Sequence, residues 1–265
     1  MPLRGARSTS KAVCRVGQQI PRCRYAATVR SRPAVLREAV WLDLGVEEYA
    51  SAYDVQLRLH ARRLAGEICD TIVIVEHAPC ITMGRASRPE HVLAGPDELT
   101  ALGIALHHTD RGGGVTYHGP GQLVLYPIVD LRGYDQDVHA HARRLEQVLI
   151  ETSAAFGVAA GRNPEHPGVW TTAGKIGAVG LRVKRWVTLH GVSLNVSPDM
   201  SHFSCIVPCG IADQGVASLA QILGREVDSR EVKSAMREAV ARVFGVRLTE
   251  AGPARSMLAV ADVSE

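Results

Sequence analysis

Aromatic residues make up only 5% of the 265-residue chain. That is too few for a nucleic-acid binder that works by stacking bases on rings, so no nucleic-acid partner is expected. Cysteines number six, at positions 14, 23, 69, 80, 205 and 209. They are sparse for this length, and no continuous apolar segment marks a secretory signal. A disulfide framework is therefore not expected, and reduced thiols in a cytoplasmic setting are. No apolar run approaches the roughly 18–20 residues of a membrane span, which removes the membrane as a partner. Lysine is scarce too. Only 4 of the 30 basic residues are lysine, and residues 38–265 hold three of them: Lys175, Lys184 and Lys233.

Acidic residues are missing from positions 1–37, which carry nine Arg and Lys. The remaining 21 basic residues face 27 acidic ones, so residues 38–265 sum to −6 although the whole chain is +3. The basic pI near 8.6 belongs to the tail and says nothing of a nucleic-acid surface on the body. Residues 1–37 read as a disordered basic tail. An organelle transit peptide and a misplaced start are the other readings of the same composition. The body, with 46% hydrophobic and 22% charged residues in the chain as a whole, is globular. It is expected to form a single domain over 38–250, followed by a frayed end at 251–265.

Strand signals cover Val40–Leu44, Thr71–Val75, Cys80–Met83, Ile104–Thr109 and Leu123–Leu131. Helical spacing covers Val46–Cys69, with Tyr49, Tyr53, Leu57, Leu64 and Ile68 on one face. It also covers Pro96–Leu102, Val138–Phe156, the Ser218 region and Ser229–Phe244, the last stopped by Gly245. Ile176–Val183 and Trp186–Val196 read as a hairpin turning at Lys184-Arg185. Strands mixed with helices, including a hairpin, predict an α/β (α+β) fold with a mixed sheet and flanking helices.

Three segments could carry chemistry. Arg111-Gly112-Gly113-Gly114-Val115-Thr116-Tyr117-His118-Gly119-Pro120-Gly121-Gln122 packs five glycines between two strands. A long turn does not need them together with Arg, Tyr and His, so a ligand cradle is the favoured reading. It is neither a Walker loop, lacking Gly-Lys-Ser/Thr, nor a dinucleotide fingerprint, because a strand follows it. Lys175 opens the apolar, glycine-rich run Lys175–Gly180. It is either a strand-end lysine whose head reaches water or a partly desolvated ammonium suited to proton transfer. Cys209 lies between Pro208 and Gly210. It can be a small buried residue, half of a metal pair with Cys205, or a nucleophile. The metal reading lacks a second ligand pair, and the nucleophile reading needs a cation such as Lys175 to stabilise thiolate.

Taken in order, these segments resemble the octanoyl-[acyl-carrier-protein]–protein octanoyltransferases, also called lipoate–protein ligase B. The resemblance runs from about Val40 to Leu248 and includes the further elements Glu76–Gly84 and Trp186–Val196. Ala78, Met83 and Ser193 depart from the family's usual Pro, Leu and Ala. The resemblance implies a biotin/lipoate protein ligase catalytic-domain fold. It implies that Cys209 forms an acyl-thioester and that Lys175 lowers its pKa and shuttles protons. Substrate would be lined by Arg111, Gly112, Gly113, Gly114, Val115, Thr116, Tyr117 and His118, by Ala178, Val179 and Gly180, and by Gly191, Val192 and Ser193. The implied partners are octanoyl-acyl carrier protein and the lipoyl domains of 2-oxoacid dehydrogenases and glycine cleavage H proteins. No ATP and no metal is implied. Arg85, Arg182 and Arg185 would greet an acidic carrier. The alternatives are an ATP-dependent lipoate or biotin ligase on the related fold, an amidotransferase between lipoyl-bearing proteins, and a non-catalytic carrier-binding module.

Overall fold

The computed structural model describes residues 36–207 and 215–251. The readings of the tail, of Cys209 and of the last residues lie outside the described residues. In chain order the elements are β1 (Arg37–Glu47), α1 (Tyr49–Leu64), β2 (Asp70–His77), β3 (Cys80–Met83), α2 (Pro96–Ala101), β4 (Ala105–His108), β5 (Val115–His118) and β6 (Gln122–Ile128). There follow α3 (Val138–Ala155), β7 (Gly161–Arg162), β8 (Val169–Thr171), β9 (Gly174–Lys184), β10 (Val187–Asn195), α4 (Leu219–Leu223), α5 (Ser229–Phe244) and β11 (Val246–Glu250).

An eight-stranded sheet runs β11-β1-β2-β6-β10-β9-β8-β7, and a three-stranded sheet runs β4-β3-β5. Pairing in the large sheet is parallel from β11 through β1 to β2 and antiparallel from there on. The mixed sheet with flanking helices is as the sequence predicts.

Period-two alternation explains why the large sheet is covered on both faces. Ile72, Ile74, Leu123, Leu125, Val192 and Leu194 pack on one side with residues of α3 and α5. Val73, Val75, Val124, Tyr126 and Leu189 pack on the other with Ala52 and Leu59 of α1. A third core, with Ile81, Val115 and Tyr117, belongs to the small sheet. Among the described residues no helix is long and apolar enough to cross a membrane.

Several boundaries differ from the predicted ones. Val46 belongs to β1, so α1 begins at Tyr49 and stops at Leu64, short of Cys69. Its buried face is Tyr49, Ala52, Gln56, Leu59 and His60, which leaves Leu57 40% exposed. The face turns toward Gln56 because that side chain's Oε1 accepts the His190 backbone N–H at 2.9 Å. A polar residue with a buried task is invisible to hydrophobic periodicity. β6 stops at Ile128, where Asp130 accepts the Arg132 N–H and closes a short 3₁₀ turn over Leu131–Gly133. The β9–β10 hairpin turns at Arg185-Trp186, both with positive φ (52° and 68°), one residue later than predicted. β7 and β8 are too short to be read from pattern alone, and β11, a largely exposed edge strand, lacks an apolar run to mark it.

Gly177 is where β9 meets α3: a Cβ there would stand 2.5 Å from Leu149 Cδ1. Gly177→Ala is expected to destabilise by about 1–3 kcal/mol through overpacking. Leu149→Ala, at a fully buried position, is expected to cost about 2–5 kcal/mol. Because the two groups touch, the double variant should lose less than the sum of the singles, as measured by denaturant unfolding. Strict additivity would show that the methyl of Leu149 does not occupy the space left by the glycine.

Candidate active site

A slot lies where the small sheet covers β9 and β10. Ser193 pairs with Ala178 and Gly191 with Gly180 across these strands. Opposite stand Gly113, Gly114, Thr116 and His118, with Val124, Tyr126 and Tyr49 at the back. The slot is a narrow cleft, with room for about 40 Å³ of water-accessible space. Thr116, Ala178 and Ser193 also line a second, neighbouring hollow, together with Lys175, Gln122, Asn195, Phe203 and Val216. The two hollows lie beside successive parts of β9, the second at Lys175–Ala178 and the slot at Ala178–Gly180.

The alternation of β5 decides which predicted residues face the slot. Thr116 and His118 do, whereas Val115 and Tyr117 point the other way into the small sheet's core. Of the residues expected to line substrate, Val115 and Tyr117 thus stand behind the slot wall. Tyr117 Oη instead bonds His202 Nδ1 at 2.8 Å. Gly112 is not a lining residue either; its N–H donates to Leu181 O at 3.0 Å and docks the glycine loop on β9. Gly113 has φ +85°, a conformation that favours glycine. The remaining predicted residues, Arg111, Gly113, Gly114, Thr116, His118, Ala178, Val179, Gly180, Gly191, Val192 and Ser193, come together around the slot. Tyr49, Tyr126 and His190 also line it and were not foreseen, because they arrive from α1, β6 and a distorted point of β10. Arg182, expected to face a partner, pairs with Asp110 instead, while Arg85 and Arg185 are exposed.

A chain of buried hydrogen bonds joins the two hollows. Arg111 donates from Nη2 to Thr82 O at 2.7 Å and to Thr82 Oγ1 at 2.9 Å. Gln122 Nε2 donates to Tyr117 O at 3.1 Å and to Asn195 Oδ1 at 2.8 Å, so its Oε1 is the acceptor for His118 Nδ1–H at 2.6 Å. This assigns the other ring nitrogen of His118 as the acceptor, facing the Thr82 hydroxyl at 3.4 Å. Asn195 Nδ2 then donates to Ala217 O, and Ala217 N–H donates to Lys175 O, both at 3.0 Å. The glycine loop and the Lys175 strand are thereby coupled through five side chains.

Lys175 is buried, and its Nζ lies 5.3 Å from the centre of the Trp170 ring, a cation–π contact. Its N–H donates to Gly215 O at 2.9 Å. Gly215 follows the undescribed residues 208–214 directly. On their other side, Val207 N–H donates to His91 O at 2.9 Å.

The histidines of the slot are neutral. Burial, with His77 and Arg111 adding repulsion, lowers the His118 pKa to about 3. Burial, Arg111 and Arg182 lower that of His190 to about 3, so its 2.8 Å contact with Asp110 Oδ1 is a hydrogen bond from a neutral ring. Burial lowers His77 to about 4. Its Nδ1–H donates to Glu47 O, leaving Nε2 to accept from Tyr126 Oη at 2.7 Å. Burial pushes the Cys80 thiol up to about 12 and raises that of Cys205. Neither Cys80 nor Cys205 is poised as a thiolate. Among the described residues no group of three or more His, Cys, Asp or Glu could hold a metal ion.

Comparison with known proteins shows the family and the fold. The profile of the lipoyl protein ligase A/B catalytic domain matches residues 48–241. An octanoyltransferase of Solibacter usitatus is 46% identical over 209 residues, 79% of this chain and 94% of that protein. One of Gloeobacter violaceus is 46% identical over 220 residues, 83% of this chain and 96% of that protein. Among solved structures, a bipartite lipoate protein ligase of Thermoplasma acidophilum superposes with a TM-score of 0.64 at 16% identity. It covers 84% of this chain and 90% of its own, a likeness of fold.

Away from the slot, His141 of α3 is also buried against Phe244, with its pKa lowered to about 4 by burial and by Arg144. A depressed histidine binds its proton more readily in the unfolded chain. Stability it contributes is present above about pH 6.5 and is lost as pH falls toward the folded value. With His77, His118, His141 and His190 acting together, unfolding free energy should fall by as much as about 1.4 kcal/mol per pH unit for each between pH 6 and 4.5. Replacing His141 by Leu should remove about one proton from that dependence, read from urea unfolding across the pH range. An unchanged slope would show that this ring titrates normally.

Proposed function

The chain belongs to the lipoyl protein ligase A/B catalytic-domain family and is an enzyme of the octanoyltransferase type; from that premise we propose that Cys209 carries the octanoyl group as a thioester and that Lys175 serves it as cation and proton carrier. The observation that carries this reading is the position of Lys175. It lines the hollow next to the slot, on a backbone bonded to Gly215, six residues beyond Cys209.

The chemistry balances without an energy source. A thiol with pKa about 8.5 is only about 3% thiolate at pH 7. A lowering of about 1.5 units by a nearby ammonium makes thiolate about half the population. The thiolate attacks the donor's carbonyl carbon, the C–S bond to the donor breaks, and the departing thiolate takes a proton from Lys175. The acceptor's lysine amine then attacks the Cys209 thioester and gives its proton to Lys175. Breaking of that C–S bond returns the thiolate and leaves an amide. The first exchange is nearly isoenergetic and the second is downhill, so the reading calls for neither ATP nor a metal. Octanoyl-acyl carrier protein is the proposed donor, with the exposed Arg85 and Arg185 available to an acidic carrier. Lipoyl domains of 2-oxoacid dehydrogenases and of glycine cleavage H protein are the proposed acceptors. The Thermoplasma ligase, described together with its E2 lipoyl domain, supports that choice. Free octanoate with ATP would serve as substrate only if the ligase alternative held.

Mixing the protein with octanoyl carrier protein should yield an octanoyl adduct by intact mass, absent from Cys209→Ala. Lys175→Arg keeps the charge but cannot exchange protons near neutral pH, so transfer should fall by about 10²-fold or more. Full turnover by that variant would leave Lys175 an electrostatic part only. Iodoacetamide at neutral pH should label Cys209 well before Cys80 and Cys205.

A further inference from the structure

Alternation along β9 breaks at one point. Val169 of β8 pairs with Gly177, but Trp170 pairs with Lys175, so β9 carries one extra residue, Ile176, between the two pairs. This is a β-bulge, a device that re-aims side chains. Its effect shows on both faces of the sheet. Gly177 faces α3, since a Cβ there would stand 2.5 Å from Leu149 Cδ1. Ile176, one residue earlier, packs in the same core. Two consecutive residues on one face reverse the alternation. Lys175 therefore emerges on the slot side, where it lines its hollow with Ala178, Ser193 and Asn195. In an unbulged strand Lys175 would share the face of Gly177 and point toward α3.

Residues directly opposite one another share a face. Trp170 thus stands beside Lys175, with its ring centre 5.3 Å from Nζ. The indole is itself fixed, because its Nε1–H donates to His166 O at 3.0 Å. The stem of the lysine crosses Gly168, where a Cβ would stand 2.6 Å from Lys175 Cε and 2.5 Å from Gly177 O. Gly168 has φ +122°, and its N–H donates to Glu146 Oε1 at 3.1 Å. Arg162 Nε donates to the other oxygen of that carboxylate at 3.0 Å. We infer that Trp170 is a positioning residue for the transfer: its ring face and the gap at Gly168 form a seat that holds the Lys175 ammonium on the slot side. The inference rests on the reading of Lys175 as cation and proton carrier. A flexible four-carbon stem left to swing would keep its ammonium within reach of a reacting group for only part of the time. A ring face attracts the cation through its quadrupole and does not take up its N–H groups in an ion pair, as a carboxylate in the same place would. The seat therefore fixes the charge without competing for the proton.

The test measures octanoyl transfer and the rate of Cys209 alkylation by iodoacetamide in the full chain with Trp170→Leu or Trp170→Phe. Trp170→Leu should lower kcat by about tenfold or more, with KM for octanoyl carrier protein little changed. It should also slow alkylation of Cys209 by about threefold or more. Trp170→Phe keeps a ring face and should recover most of both. In a Lys175→Met background Trp170→Leu should not alter the alkylation rate, because the ring then has no cation to hold. Equal losses for Leu and Phe, or the same slowing without the lysine, overturn the inference. If Trp170→Leu does not fold, biosynthetic fluorotryptophan keeps the ring's shape and weakens its attraction for a cation. Fluorinated protein should alkylate more slowly, and only when Lys175 is present; an unchanged rate overturns the inference. Failure of the underlying reading looks different: Lys175→Met alone would leave Cys209 alkylation as fast as in the unaltered protein.

Discussion

Ser193 faces Ala178, and Gly191 faces Gly180, across one antiparallel strand pair, and the slot depends on that register. A slip of one residue would turn the side chains of Ala178 and Ser193 away from the slot, toward α3. The pair holds because its other face is occupied: Val179 and Val192 lie with the core under α3, and Gly177 leaves room for Leu149. Packing on one side of the sheet thereby determines the shape of the cavity on the other.

Polar groups do the rest, and they are satisfied in sequence. Arg111, Thr82, His118, Gln122 and Asn195 form a line in which each member's donor or acceptor role is settled by the next. In a buried setting such a line tolerates no idle member, because an unpaired polar atom costs its full desolvation. The line ends on Ala217, which is bonded to Lys175. A shift in the glycine loop therefore has a physical route to the strand that carries the lysine. Neutral histidines suit this setting: protonation of His118 would place a charge beside Arg111 where water cannot screen it.

Much of this was legible beforehand because it is local. The glycine run, the lone lysine opening an apolar strand and the hairpin are features of consecutive residues. So are the continuous apolar runs that mark β2 and β6 as buried strands. What was misread also has a local cause. Val115 and Tyr117 sit inside the motif, yet every second residue of a strand points away from a ligand. Leu57 fits a helical stripe, yet α1 turns its buried face toward Gln56 because β10 offers an N–H there. Arg182 has the charge to meet a partner, yet an aspartate 72 positions earlier claims it.

Residue order alone determined the class of fold and the order of the motifs, since both follow from spacing along the chain, and the likeness of those motifs to a known family pointed to acyl transfer. Tertiary structure alone decided which motif residues meet, because Asp110, Tyr53, Arg182 and His190 are joined only by folding. Hydrogen bonds between elements far apart in the chain leave no periodic trace, and the partners of His190 at the slot are held by them.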